Sequence, residues 1–172
     1  MEEIKLIIGH RSGKPFFETV PAERIAENTY RVLATPGLAP GVAAGDIIVR
    51  DATDPLGFRV IERSGNVALQ VFFENDPRFD ESQVTTIITA IGGWLDGGIG
   101  NDGGHLRIFT VPIGIGFNAI EKAMQQISSL PTFNRWYCGN VYDVRDGKTP
   151  LNWWDQVPGG FDTGRRNGGF MG

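Results

Sequence analysis

Over roughly the first seventy positions, apolar residues come in short runs separated by turn formers. Ile4–Ile8 reads as a strand. Phe16–Val20 and Glu23–Ala26 read as one further strand or as a bent pair about Pro21, and Thr29–Ala34 alternates as a strand should. Thr35–Arg50, TPGLAPGVAAGDIIVR, then passes from a Pro-Gly turn through a stretch of small residues to Gly45-Asp46, which opens the β-branched run Ile47–Arg50. Phe58–Glu62 follows across the turn-rich Asp51–Gly57, and Arg63-Ser64-Gly65-Asn66 turns into Val67–Phe73. Short β-rich runs with Gly, Pro, Asn and Asp between them predict a small β meander or a partly closed barrel.

The period changes after Asn75. Val84, Ile87, Ile88 and Ile91 recur at helical spacing behind a cap at Asp80 or Ser82, and Gly92-Gly93 ends the run. Trp94–Ile99 and Leu106–Val111 read as two strands joined through the Gly-Asn-Asp-Gly-Gly stretch at 100–104. Phe117–Leu130 places Ile120, Met124 and Ile127 on one face of a second helix, which Pro131 closes, and Trp136–Val144 supplies a last strand. With Val67–Phe73 this makes β-α-β-β-α-β, the order of a ferredoxin-like split βαβ unit, so the fold class is α+β. The expected division is a β-rich module at 1–65, an α/β module at 66–144, and an aromatic and Gly-rich tail at 145–172. The N-terminal module is expected to close the sheet face that the helices leave open.

A chain of 172 residues with 41% hydrophobic residues is able to bury a real core. Sixteen basic against twenty acidic residues give a net charge of −4, with no long Lys/Arg block. That balance argues against general attraction to nucleic acid or anionic membrane. Cys138 is the single cysteine, which excludes an internal disulfide. Residues 1–12, MEEIKLIIGHRS, begin acidic and hold only a short apolar run, unlike a secretory signal. No apolar stretch reaches membrane-spanning length. The expected location is cytoplasmic.

Three segments carry a family resemblance: TYRVLATPGLAPGVAAGDIIVRD, the FRVIERSGNVALQVFF pair, and the later helix and Gly-rich turn leading into LRIFTVPIGIG. Across Thr29 to Leu130 the chain resembles the uncharacterised bacterial family DUF4265. The resemblance implies a β-rich front joined to an α/β back half. It carries over no catalytic residue and no cofactor. Inhibitors of bacterial toxins are the role it suggests.

Candidate chemistry is sparse. His10 and His105 are the only histidines, and neither forms a compact ligand pair with Cys138, so no metal site is expected. Cys138 and His105 would form a nucleophile pair only if the last strand lay beside Leu106–Val111. Asp96 and Asp102 flank the Gly-rich hairpin and are candidates for a shared acid–base or cation task, against the plainer reading of a solvated turn. Gly97-Gly98-Ile99-Gly100 lacks the Lys-Ser/Thr of a phosphate loop. Val111–Phe117 runs from strand to helix, a place where an anion or small regulatory ligand would meet free amide groups, although Gly114 and Gly116 equally serve a tight connection.

The late segment is richer. Trp136, Tyr137, Tyr142, Trp153 and Trp154 lie among Arg135, Arg145, Lys148, Arg165 and Arg166, with Asp143, Asp146, Asp155 and Asp162 between them. Aromatic and Arg side chains are frequent interface anchors, and mixed charges set partner choice. Core packing is the competing reading for Trp136 and for one ring of Trp153-Trp154, with the other ring expected outward. The function expected is a non-enzymatic protein-binding module, an immunity-like inhibitor that masks a toxin by steric occlusion. Its contacts would be Trp136, Tyr142, Arg145, Trp153, Trp154, Asp155, Arg165 and Arg166. No cofactor, nucleic acid or membrane partner is expected. The alternatives are a small hydrolase or transferase using Cys138, His105 or the Asp96/Asp102 region, and a ligand-binding regulatory domain.

Overall fold

The computed structural model describes residues 1–157. Strands β1 (Glu2–Arg11), β2 (Lys14–Ala26), β3 (Thr29–Val32), β4 (Ile47–Arg50) and β5 (Phe58–Glu62) form one antiparallel sheet in chain order. Among the described residues no ladder joins β1 to β5, so the sheet is an open meander and the barrel alternative does not form. Its core face gathers Ile4, Leu6, Val20, Tyr30, Val32, Ile48 and Phe58.

Of the two readings about Pro21, one continuous strand and not a bent pair is what forms. Pro21 sits opposite Glu3 of β1, and its carbonyl accepts the Leu33 N–H at 2.9 Å on the other side. The nitrogen of a strand residue faces the same way as its carbonyl, here beyond the last β2–β3 pair, Ala22↔Val32. The missing donor therefore removes no rung between β1 and β2. Ser12 and Gly13, with φ of 51° and 74°, make the tight turn between β1 and β2, the primed geometry that suits a twisted hairpin.

The second sheet has strands β6 (Asn66–Phe73), β7 (Trp94–Asn101), β8 (Gly104–Pro112) and β9 (Phe133–Cys138) in the order β7-β8-β6-β9, each neighbouring pair antiparallel. Helix α1 (Glu81–Ala90) lies between β6 and β7, and α2 (Phe117–Ser128) between β8 and β9, which is the expected element order. Asp80, of the two candidates, caps α1: its carboxylate accepts the N–H groups of Ser82 and Gln83 at 2.9 and 3.3 Å. Val84 and Ile88 of α1 and Ile120, Met124 and Ile127 of α2 pack on Val67, Leu69, Val71 and Phe73 of β6. The last strand starts and ends earlier than Trp136–Val144. After Cys138 the chain is irregular, with a bridge between Tyr142 and Pro150 and a short 3₁₀ turn at Trp153–Gln156.

The loop between β3 and β4 lies on the opposite face of this second sheet. Thr35 Oγ1 meets Thr110 Oγ1 at 2.5 Å, and Gln70 donates from Nε2 to the Pro36 carbonyl at 3.0 Å. A Cβ on Gly37 would come within 2.7 Å of Ile108 Cδ1, so the loop lies close against the Ile108 side chain of β8. The N-terminal segment thus covers the sheet face by a loop, while its own sheet keeps a separate core.

Candidate functional site

The catalytic candidates do not converge. His105 pairs with Phe73 and Cys138 with Leu69, on opposite sides of β6. Four residues of strand separate them, about 13 Å along the strand direction alone. Cys138 is buried, and burial in apolar surroundings pushes its thiol far up, which suppresses the thiolate a nucleophile needs. His105 stacks on Phe79 with ring centroids 4.3 Å apart. Asp102 lies in the β7–β8 turn, whereas Asp96 faces the β3–β4 loop. Asp96 accepts hydrogen bonds from the Thr110 hydroxyl and from Trp94 Nε1, the latter at 3.1 Å. Burial raises the Asp96 carboxyl above its ordinary range, opposed by the Thr110, Trp94 and Thr35 hydrogen bonds. Asp96 is a joint between two parts of the fold. Among the described residues, no group of three His, Cys, Asp or Glu side chains is placed to hold a metal ion.

The Val111–Phe117 connection is packed. Ile113 and Phe117 are buried, Ile113 N–H bonds to the Gly65 carbonyl at 2.8 Å, and the Trp154 ring meets Phe117 edge-on at 5.1 Å. An open groove of about 550 Å³ runs along α1 beside Ser82, Thr85 and Thr89, floored by Leu95. Glu81 at its end is paired with Arg107.

The late aromatics are mostly inside. Trp136, Trp153 and Trp154 are only 7%, 7% and 5% exposed and belong to the core of the second sheet. The expectation that one ring of the Trp153-Trp154 pair faces outward is corrected: both turn inward. The segment before them is tied back to the sheet. Asn140 accepts the Ala68 N–H at 2.9 Å and donates to the Asn66 carbonyl at 2.8 Å, while Trp153 Nε1 donates to the Asn140 carbonyl at 2.7 Å. Tyr142 is partly buried against the same core. Arg145 is exposed and forked onto Asp143, whose carboxyl it holds down at about 2. Asp155 is exposed, and Arg165 and Arg166 lie outside the described residues.

Exposed anchors occur elsewhere. Phe72, Arg135 and Tyr137 share the sheet face opposite the helices, with Phe72 half-buried and the other two exposed. The Arg135 guanidinium stands 4.5 Å over the Phe72 ring, which stacks on Tyr137 at 5.8 Å. Tyr137 remains 39% exposed. Burial raises its hydroxyl pKa, with Arg135 pulling it down and Glu18 pushing it up. Glu18 belongs to β2, and its carboxylate accepts the N–H groups of Gly37, Leu38 and Ala39 at 2.7, 2.9 and 2.8 Å. It anchors the base of the β1–β2 hairpin. Beyond it Phe16 and Phe17 are 42% and 48% exposed. Neither patch stands out in the sequence. The run Val67–Phe73 is apolar on both faces apart from Gln70, which hides which face Phe72 takes, although two adjacent Phe in a strand must point to opposite faces.

Two antiparallel sheets, with helices packed on one of them, define an α+β protein. Residues 18–130 match DUF4265, a domain of unknown function, and the chain belongs to that family. It is also similar in fold to a hypothetical protein from Neisseria gonorrhoeae solved by crystallography. The TM-score is 0.57 at 13% identity, over 80% of this chain and 92% of that one. No curated protein matches the chain. Among the described residues no helix is long and apolar enough to cross a membrane.

Proposed function

We propose that the chain is a non-enzymatic, cytoplasmic protein-binding module whose ferredoxin-like half serves as a platform. Its contact surface is the end of the second sheet that carries Phe72, Arg135 and Tyr137. The observation supporting this is the Arg135–Phe72–Tyr137 stack, in which Arg135 and Tyr137 are exposed. Tyr and Arg are the side chains that most often dominate binding energy, and a stacked guanidinium is held in place before the partner arrives. Arg145 and Asp155 remain in this reading as exposed charges; the buried tryptophans hold up the fold behind the surface.

Steric masking of a bacterial toxin is the specific role to test first. The full chain is co-expressed and purified with each product of its neighbouring genes, beside an Arg135→Ala/Tyr137→Ala variant of unchanged melting temperature. A partner retained by the wild type and lost at least tenfold by the variant is the expected result. Equal retention by both, or no retained partner, overturns the reading.

A further inference from the structure

The hairpin of β1 and β2 outruns the sheet it belongs to. Only Ala22–Ala26 of β2 pairs with β3, so near its tip the hairpin is a two-stranded ribbon with no third strand beside it. Every residue from His10 to Phe17 is exposed. An isolated ribbon is marginal in water. This one is held at its base by Glu18 on the amides of residues 37–39 and closed at its tip by the Ser12-Gly13 turn. Phe16 and Phe17 point to opposite faces of the ribbon and both meet solvent. The Arg11 guanidinium stands 5.3 Å over the Phe16 ring.

The charge of this arm is segregated from the rest of the molecule. Residues 4–17 carry Lys5, Arg11 and Lys14 and no Asp or Glu. Thirteen Lys and Arg then face all twenty Asp and Glu in the remainder of the chain. At physiological salt the Debye length is about 8 Å, so a partner at the tip responds to the local cations more than to the distant net negative charge. Nucleic acid is disfavoured, because a tip with two fixed cations makes far fewer phosphate contacts than the roughly six to ten of a salt-sensitive nucleic-acid binder.

We propose that the β1–β2 arm is a docking element for an acidic protein surface, with Phe16 and Phe17 as apolar anchors and Arg11 and Lys14 as the charges that select it. This rests on the protein-binding reading and adds to it the partner's chemistry and a second contact region. The aromatic-plus-cation tip is pre-shaped by its turn, so docking orders little new chain.

The test places the photo-crosslinker p-benzoylphenylalanine at position 16 of the full-length chain in cells, with and without Arg11→Glu/Lys14→Glu. Adducts are mapped by mass spectrometry, and melting temperature is recorded for each variant. The expected result is a discrete polypeptide adduct whose linked peptide lies in an Asp/Glu-rich surface, reduced at least tenfold by the charge reversal at unchanged melting temperature. An adduct to nucleic acid, to lipid or to a second copy of this chain overturns the proposal, as does an adduct that ignores the charge reversal or no adduct at all. If a partner that depends on Arg135 and Tyr137 still co-purifies with the Arg11→Glu/Lys14→Glu variant at full yield, the arm assignment fails while the protein-binding reading stands.

Discussion

Trp153 donates its indole N–H to the backbone carbonyl of Asn140 at 2.7 Å, and this bond stitches the segment after β9 to the strand register of β6. Asn140 itself bridges Ala68 N–H and the Asn66 carbonyl. The Trp154 ring stands edge-on to Trp153 at 5.5 Å and to Phe117 at 5.1 Å, closing the core at the start of α2. Removing either ring empties a large buried volume. Trp153→Ala and Trp154→Ala are each expected to cost about 3–5 kcal/mol, measured by denaturant unfolding. A loss below roughly 1 kcal/mol contradicts their place in the core.

Asp46 and Arg63 form a second tie. The fully buried Asp46 carboxylate accepts from Ala43 N–H, Ser64 N–H, Ser64 Oγ and Arg63 Nη1 at 2.8–3.0 Å, and Arg63 also donates to the Gly41 carbonyl at 2.7 Å. Asp46→Ala strands a cation and two amides, so a loss of about 3–5 kcal/mol is expected. The double variant Asp46→Ala/Arg63→Met is expected to recover part of it, as read from a double-mutant cycle. Strict additivity of the two losses argues against a coupled pair.

Burial raises the carboxyl pKa of Asp96, so the folded state binds its proton more tightly than the unfolded state does. The contribution of Asp96 is therefore fully present below the unfolded pKa and falls away as pH rises through the folded one. Asp46 shifts in the same direction, while Asp76 and Asp143, held at about 2 by Arg78 and Arg145, titrate in the opposite sense in strong acid. Asp96→Asn removes one term and leaves the others. Its melting temperature minus that of the wild type is expected to become more positive from about pH 3 to about pH 7. A difference that stays flat or falls contradicts the burial assignment.

Gly104 opens β8 at φ 124°, and a Cβ there would come within 2.3 Å of the Phe73 carbonyl oxygen. Both the backbone angle and the space exclude a side chain. Gly104→Ala is expected to destabilise by more than the roughly 1 kcal/mol scale of an ordinary point change, with amide exchange rising first at the β6–β8 ladder. Wild-type protection in that ladder would contradict it.

Cys138 sits inside the core with a thiol that burial keeps protonated. Alkylation by iodoacetamide, followed by intact mass, is expected to proceed only as fast as the protein opens, and to become fast in denaturant. Rapid labelling of the folded protein would reinstate a reactive cysteine.

Local chemistry decided much by itself. The alternation in Thr29–Val32, the helical spacing of Val84 and Ile88, the Asp80 cap and the Gly-rich β7–β8 turn each follow from a few neighbouring residues, so the element order and the α+β class were legible. Whether Pro21 bends the chain or lies within one strand stayed open, because its effect depends on which neighbour its nitrogen faces, and that is a property of strand pairing. The contact surface was hardest to read. A tryptophan beside arginines looks the same in sequence whether its ring fills a core or meets a partner. Asn140, 72 and 74 residues from its β6 contacts by chain, decided that Trp153 turns inward. The length by which β2 outruns β3 decided that Phe16 and Phe17 are left in water. Periodicity is short-ranged and survives in the sequence; burial depends on which distant segments arrive, and only the assembled sheets determine that.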